Sequence, residues 1–223
     1  MQYLRDMKAK LVIFDLDGTL IDTIDDLGAA VNYALERKGL PRHGREEYRF
    51  MVGNGVSKLV LRAMPEALRE DGALHAALLS DFMEYYFAHI DVHSRPYPGM
   101  RELLGELQSG GVLLAVASNK FQAGTQALIS RFFPGIKFAK VLGGREGMPL
   151  KPDPEVVREI LNAASVAPED SVMVGDSATD TATAAAAGIR SIAVTWGFRP
   201  EEAAASADFR ADSAGELRSL LVD

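Results

Sequence analysis

An α/β fold built on a doubly wound parallel sheet is predicted by three observations. Short apolar runs recur along the 223 residues: Leu11–Phe14, Val112–Ala117, a weaker Lys140–Leu142, Ser171–Val174 and Ser191–Thr195. Each is aliphatic or β-branched and bounded by Gly, Asp or Ser, as strands buried on both faces are. Helical patterns alternate with them, over Met100–Ser109, Ala123–Arg131, Pro154–Ala164 and Asp180–Ala187. Strand–helix alternation is the signature of parallel sheets covered on both sides.

The elements follow in order. Leu11–Phe14 runs straight into DLDGT, so the first strand ends on Asp15, with Asp17 two residues on. From about Thr23 to Ser94 no strand is predicted; Leu27, Val31 and Leu35, and later Leu74, Leu78, Phe82 and Tyr85, recur at helical spacing. A helical insertion of residues 21–94 therefore divides a core of residues 1–20 and 95–223, and RPYPGM (Arg95–Met100) reads as the return linker. Pro154 suits a helix start, and Gly110 and Gly188 suit positions just past helix ends. The alanine-rich Thr181–Gly188 reads as a helix packed closely on the sheet. The core so described is Rossmann-like.

Composition narrows the function. The chain is 48% hydrophobic and 25% charged, an ordinary globular profile. A net charge of -7 disfavours nucleic acid and anionic membranes as partners, since both select a basic surface. There is no cysteine, which removes disulfides, thiolate nucleophiles and zinc–thiolate sites. No apolar run reaches membrane-span length and MQYLRDMKAK is no signal peptide, so a cytoplasmic location is expected. The oligomer is expected to be a monomer or homodimer.

Polar residues gather at the carboxyl ends of the predicted strands: Asp15 and Asp17, Ser118 and Asn119, then Asp176 with Asp180. Open α/β sheets bind ligands at that edge. Converging carboxylates without His or Cys point to a hard cation, with Mg²⁺ the common choice. Lys151, Ser118 and Asn119 add a positive charge and hydrogen-bond donors suited to phosphate oxygens. One carboxylate can attack phosphorus while its neighbour moves protons.

DLDGT (Asp15–Thr19), Ser118–Asn119, Lys151 before PDP, and GDSATD (Gly175–Asp180) resemble the four ordered motifs of the haloacid dehalogenase-like hydrolase superfamily. The match spans nearly the whole chain, including a helical cap after the first motif. The resemblance implies Asp15 as nucleophile, Asp17 as acid/base, and Mg²⁺ held by Asp15, the Asp17 carbonyl and Asp176. It implies Ser118, the Asn119 backbone and Lys151 on the phosphate, with Asp180 supporting the metal shell or Lys151. Asp17 is absent from the namesake dehalogenases, so phosphoryl transfer is expected in place of carbon–halogen cleavage.

MVGNGVSKLVLRAM (Met51–Met64), RPYPGM, KPDP and VTWGF (Val194–Phe198) are similar to segments of phosphoglycolate phosphatases. Gly53, Asn54 and Gly55 would then let the backbone approach substrate, and Lys58 or Arg62 would meet a substrate carboxylate. The expected activity is Mg²⁺-dependent hydrolysis of a small phosphorylated metabolite, 2-phosphoglycolate first. Pyrophosphate, a sugar phosphate or a nucleotide are alternatives, as are mutase chemistry and a non-catalytic phosphate-binding role.

Plainer readings stand beside these. Asp176 and Asp180 suit a helix cap and first-turn acid. Gly53 and Gly55 suit an ordinary turn, Arg62 a helix surface, and Lys120 either a solvated charge or a phosphate-steering one. The four His residues show no ligand spacing, and Trp196 reads as packing beside the site.

Overall fold

A computed structural model describes residues 9–222. Six strands form one parallel sheet: β1 (Leu11–Phe14), β4 (Leu113–Phe121), β5 (Phe138–Gly144), β6 (Ser171–Gly175), β7 (Arg190–Val194) and β8 (Phe209–Ala211), in the order β5-β4-β1-β6-β7-β8. β1 lies at the centre, in register with β4 through Leu11–Leu113 and with β6 through Leu11–Ser171. Its four residues are fully buried and point alternately to two cores. Val12 and Phe14 face the layer of α5 (Met100–Ser109), α6 (Gln122–Phe132) and α10 (Ala214–Val222). Leu11 and Ile13 face the layer of α7 (Glu155–Ala164) and α8 (Ala178–Ala187). This is the doubly wound arrangement predicted by the apolar runs. A short α9 (Pro200–Ala204) packs on α8 and β7.

The chain leaves β1 toward β4 and β5, then crosses back to β6 on β1's other side. The order of connection reverses at β1, which makes its carboxyl end the topological switch point where α/β sheets bind ligands. The observed strands differ from the predicted ones in several places: β5 extends two residues beyond Lys140–Leu142 at each end, and the short β2 (Ile21–Asp22) and β3 (Arg95–Pro96) were not expected. β4 continues four residues past Ala117 through a register shift against β5, carrying Ser118, Asn119 and Lys120 into the interior. β8, three residues long at the sheet edge, was too short to leave an apolar run.

Between β1 and α5 stand four helices: α1 (Ile24–Arg37), α2 (Arg45–Met51), α3 (Val56–Ala63) and α4 (Gly72–Ala88). Leu27, Val31 and Leu35 of α1 meet Leu78 and Phe82 of α4 in a separate apolar cluster, as the helical spacing predicts, but the fully buried tyrosine is Tyr86, with Leu74 and Tyr85 packed at the cluster's edge. A two-stranded antiparallel ribbon, β2 (Ile21–Asp22) with β3 (Arg95–Pro96), closes the base of this insertion.

Asp26 fastens that base. Its buried carboxylate accepts from His93 N (2.9 Å), Ser94 N (2.7 Å) and Ser94 Oγ (2.7 Å), so the start of α1 holds the returning chain. Hydrogen bonds to a charged acceptor contribute about 1.5–3 kcal/mol each, and orphaning buried donors costs more than the mean bond. Asp26→Ala is therefore expected to lower unfolding stability by roughly 3 kcal/mol in urea titrations; a loss under about 0.5 kcal/mol would put the anchor elsewhere.

Candidate functional site

The site is assembled at the carboxyl end of β1. Asp15 N donates to Val174 O at 2.9 Å, which continues the β1–β6 ladder by one residue and fixes the Asp15 backbone. The chain then turns tightly. Leu16 O accepts from Leu20 N and Ile21 N at 3.0 Å, and Gly18 N donates to Ile21 O at 2.9 Å. Gly18 sits at φ +91°, and a side-chain carbon there would collide with the Asp176 carboxylate. Glycine is required on both counts.

Asp15, Asp176 and Asp180 are all buried, and one carboxylate oxygen from each lies within 4.8 Å of the others. Lys151 Nζ is set among them, donating to Asp15 Oδ1 at 2.8 Å, Asp180 Oδ1 at 2.6 Å and the Ala117 carbonyl at 2.8 Å. All three donors of the ammonium are used. Burial acts to lower the Lys151 pKa, but the Asp15 and Asp180 carboxylates outweigh it and hold the group charged.

The acids are pushed the other way. Burial raises Asp15 to about 8, against the pull of Lys151 and with Asp180 and Asp176 adding to the rise. Burial, then Asp180, raises Asp176 to about 7, against hydrogen bonds from Phe198 N (2.7 Å) and Thr19 Oγ1 (3.2 Å). Buried carboxylates this close cannot all ionise without further positive charge.

The donor set fits a hard divalent cation. It is made of oxygen only, it is buried, and Gly18 and Gly197 enclose Asp176 where any side chain would displace it. Asp15 and Asp176 face the shared space, and no hydrogen bond among the described residues reaches Asp15 Oδ2. Asp180 is more fully engaged: Oδ1 takes Lys151, and Oδ2 takes Ser177 Oγ (2.7 Å) and Ser177 N (3.1 Å), a reciprocal cap at the start of α8. Of the two roles the resemblance implies for Asp180, the hydrogen bonds favour support of Lys151.

Asp17 turns away from this trio. Its Oδ1 accepts from Thr23 Oγ1 at 2.7 Å, and both its oxygens face Lys120 Nζ, at 3.1 and 3.2 Å. Lys120 is buried and lies 4.8 Å from the centre of the Tyr86 ring. Burial opposes its charge, and Asp17 and Tyr86 restore it. The solvated reading of Lys120 is thus overturned, because the extension of β4 carries it beneath α4. The sequence offered no signal for this pairing, since its partner Tyr86 comes from a distant helix.

Ser118 and Asn119 both line the cavity above Asp15. Ser118 Oγ accepts from Lys120 N at 3.2 Å. The Asn119 side chain is spent on backbone: Oδ1 accepts from Lys151 N (2.8 Å), and Nδ2 donates to Lys151 O (3.0 Å) and Gly53 O (2.9 Å). It ties the lysine loop to the core and both to the cap.

The cap residues divide into two groups. Gly53 and Gly55 do line the cavity, but Asn54, Lys58 and Arg62 do not. Lys58 is exposed on α3. The Arg62 guanidinium donates to Met51 O and Asn54 Oδ1, both at 2.8 Å, so it braces the 51–55 turn. Helical spacing alone did not say which face of α3 met the site.

Arg199 is the cation that sequence reasoning passed over. It follows β7, lines a second cavity with Asp15, Lys151 and Asp176, and lies against Gly53, where a side chain would strike its guanidinium. Arg49 adds two further ties from cap to core, donating to Phe198 O (3.2 Å) and Gly197 O (3.3 Å). Trp196 Nε1 donates to Thr19 O at 3.1 Å, beside the site as expected. His43, His75 and His89 bond backbone carbonyls within the insertion. No helix among the described residues is long and apolar enough to cross a membrane.

The pKa directions predict a pH dependence. Asp15 and Asp176 lie above their ordinary value of 3.8 when folded, so the metal-free native state holds protons that the unfolded chain releases. Their contribution to stability is present below about pH 4 and is lost as pH rises toward about 8. A cation bound there replaces those protons. Thermal melts should therefore show a larger Mg²⁺-induced rise in Tm at pH 8 than at pH 5; equal shifts would exclude these carboxylates as ligands.

Residues 12–194 match the family model described as haloacid dehalogenase-like hydrolase. A phosphoglycolate phosphatase of Mesorhizobium japonicum is 38% identical over 193 residues, covering 86% of this chain and 85% of that protein. Phosphoglycolate phosphatase 1 of Pseudomonas aeruginosa is 38% identical over 194 residues, covering 85% and 70%. The solved structure of a candidate phosphoglycolate phosphatase from Lactobacillus delbrueckii subsp. bulgaricus superposes with a TM-score of 0.90 at 33% identity, covering 97% of this chain and 100% of that one. With its motif carboxylates and Lys151 brought together at the switch point of a doubly wound sheet, the chain belongs to the haloacid dehalogenase-like hydrolase family.

Proposed function

We propose that the protein is a Mg²⁺-dependent phosphatase that hydrolyses a small phosphomonoester through an aspartyl phosphate on Asp15. The observation that carries this reading is the Asp15–Lys151–Asp180 triad, which holds a carboxylate at the end of β1 beside a buried ammonium. The names of its relatives support phosphatase chemistry and make 2-phosphoglycolate the first compound to try.

A carboxylate oxygen of Asp15 attacks phosphorus, and the bond from phosphorus to the alcohol oxygen breaks. Asp17 gives its proton to the departing oxygen. The Asp17 carboxylate then takes a proton from water, whose oxygen attacks phosphorus and frees Asp15 and orthophosphate. Thr23 and Lys120 hold Asp17 in one orientation for both steps. Lys151 supplies positive charge where negative charge develops on the phosphoryl oxygens. Ser118 adds a hydroxyl on the cavity side, and Arg199 a cation on the other. Asp15 and Asp176, with the Asp17 carbonyl, are proposed to hold Mg²⁺, which when bound offsets the carboxylate and phosphate charges. The four helices between β2 and β3 act as the cap, shedding bulk water when substrate is seated.

Phosphate release with Mg²⁺ should be abolished by EDTA and fall by at least about 10⁴-fold in Asp15→Asn, as removal of a nucleophile does. Residual activity within about tenfold of wild type would sink the Asp15 mechanism. Tight phosphate-ester binding without turnover would support a non-catalytic role.

A further inference from the structure

Two cations line the cavity on the Asp176 side of Asp15: Lys151 and Arg199. Lys151 has all three of its donors committed, to Asp15, Asp180 and the Ala117 carbonyl. The Arg199 guanidinium makes no hydrogen bond among the described residues. Its ion-pair partner, Glu202, is half exposed and stands off at 3.6 Å, beyond hydrogen-bond distance. Yet the Arg199 side chain is only 13% exposed. A guanidinium withdrawn from water with its fork of donors unspent is a ready partner for an anion.

The turn at residues 51–55 makes room for it. Gly53 sits at φ +108°, and a side-chain carbon there would strike Arg199 Nη2. Arg62 braces the same turn through Met51 O and Asn54 Oδ1, both neutral acceptors. Burial, then the charge of Arg199, holds the Arg62 guanidinium below its ordinary pKa. Two like charges thus stand near one turn, and neither meets a carboxylate within hydrogen-bond distance among the described residues. A bound anion would relieve that repulsion.

In-line displacement puts the leaving oxygen opposite the attacking oxygen. Asp15 ends β1, so the alcohol moiety points away from the sheet and toward the insertion, where Val52 and Gly53 line the same cavity. Lys151 is held against Asp15, whereas Arg199 lies against Gly53. The two cations therefore meet different parts of a substrate, Lys151 the phosphoryl group and Arg199 the alcohol.

We propose that Arg199 binds a carboxylate carried by the leaving alcohol, so that the protein selects phosphate esters of hydroxy acids. This rests on the phosphatase reading above, and it assigns the carboxylate to a residue of the core in place of Lys58 or Arg62 of α3. The planar fork of Arg199 matches the two oxygens of a carboxylate. Much of its desolvation is already met in folding, so pairing adds little further cost. The carboxylate is bound and released unchanged, and the phosphorus–oxygen bond breaks as described above.

The test compares 2-phosphoglycolate with 2-hydroxyethyl phosphate, which carries CH₂OH in place of the carboxylate, and reads the ratio of their kcat/KM values with Mg²⁺. The wild-type ratio should favour 2-phosphoglycolate at least about thirtyfold, as one buried charge pair does. Arg199→Gln should lower that ratio at least about tenfold. Arg199→Lys keeps the charge but loses the fork, and it should lower the ratio less, by about threefold or more; it serves alone if Arg199→Gln fails to fold. Equal losses on both esters would place Arg199 on the phosphoryl group and overturn the proposal. So would a ratio untouched in both variants, or one that collapses in Lys58→Gln instead. Calorimetric titration of the two esters into Asp15→Asn, with and without Arg199→Gln, reads the same preference without turnover. Absence of turnover for both esters would overturn the phosphatase reading, and the calorimetric ratio would then decide the role of Arg199 by itself.

Discussion

The structure depends on one electrostatic arrangement: four carboxylates brought to one edge of a parallel sheet, with two buried lysines offsetting part of their charge. Lys151 stands between Asp15 and Asp180, and Lys120 against Asp17. Unpaired, any of these charges would be costly to bury; paired and hydrogen-bonded, they hold one geometry. The pairing also divides the labour. The Lys151 side gathers Asp15 and Asp176 around a cation-sized space, and the Lys120 side holds Asp17 apart from it. Two carboxylates two residues apart thus sit in different electrostatic surroundings, as distinct chemical roles require.

Core and insertion meet through polar ties that radiate from the same edge. Asn119 bonds both the Lys151 loop and Gly53. Arg49 reaches the carbonyls of Gly197 and Phe198, while Phe198 N holds Asp176. A shift of the insertion therefore has a mechanical route to a carboxylate of the acidic trio through two consecutive hydrogen bonds at Phe198. The Asp26 anchor lies beside the β2–β3 ribbon, so the insertion is also fixed where it joins the core.

Much of this was legible in the sequence because the chemistry sits where strands must end. β1 needs four apolar residues to be buried on both faces, so its boundary with Asp15 is sharp, and the same holds for Val174 before Asp176. What was hidden depends on contacts between distant segments. Lys120 looks like any lysine until β4 is seen to run past Ala117 and place it beneath Tyr86. Arg199 follows a Gly-Phe turn with no periodicity to mark it, and only the missing side chain at Gly53 shows why it can lie there. The position of Lys58 and Arg62 was hidden for a related reason. A short helix with apolar residues at Leu59, Val60 and Ala63 has a defined buried face, but spacing does not say what that face meets.

The same limit explains why substrate is harder to read than reaction. The reacting groups come from strand ends whose positions are fixed by sheet register to a fraction of a residue. The apolar wall of the cavity above Asp15 is built from α1, the 52–56 turn, α3, α4 and the end of β4, and no single segment of sequence carries its character. Relatives at 38% identity differ from this chain at most aligned positions. The acidic groups and Lys151 come from the core and most of the apolar wall from the insertion, so the two can vary separately. The apolar wall facing Asp15 and Asp17 is thus a property of the folded chain, assembled from five segments that no one motif joins.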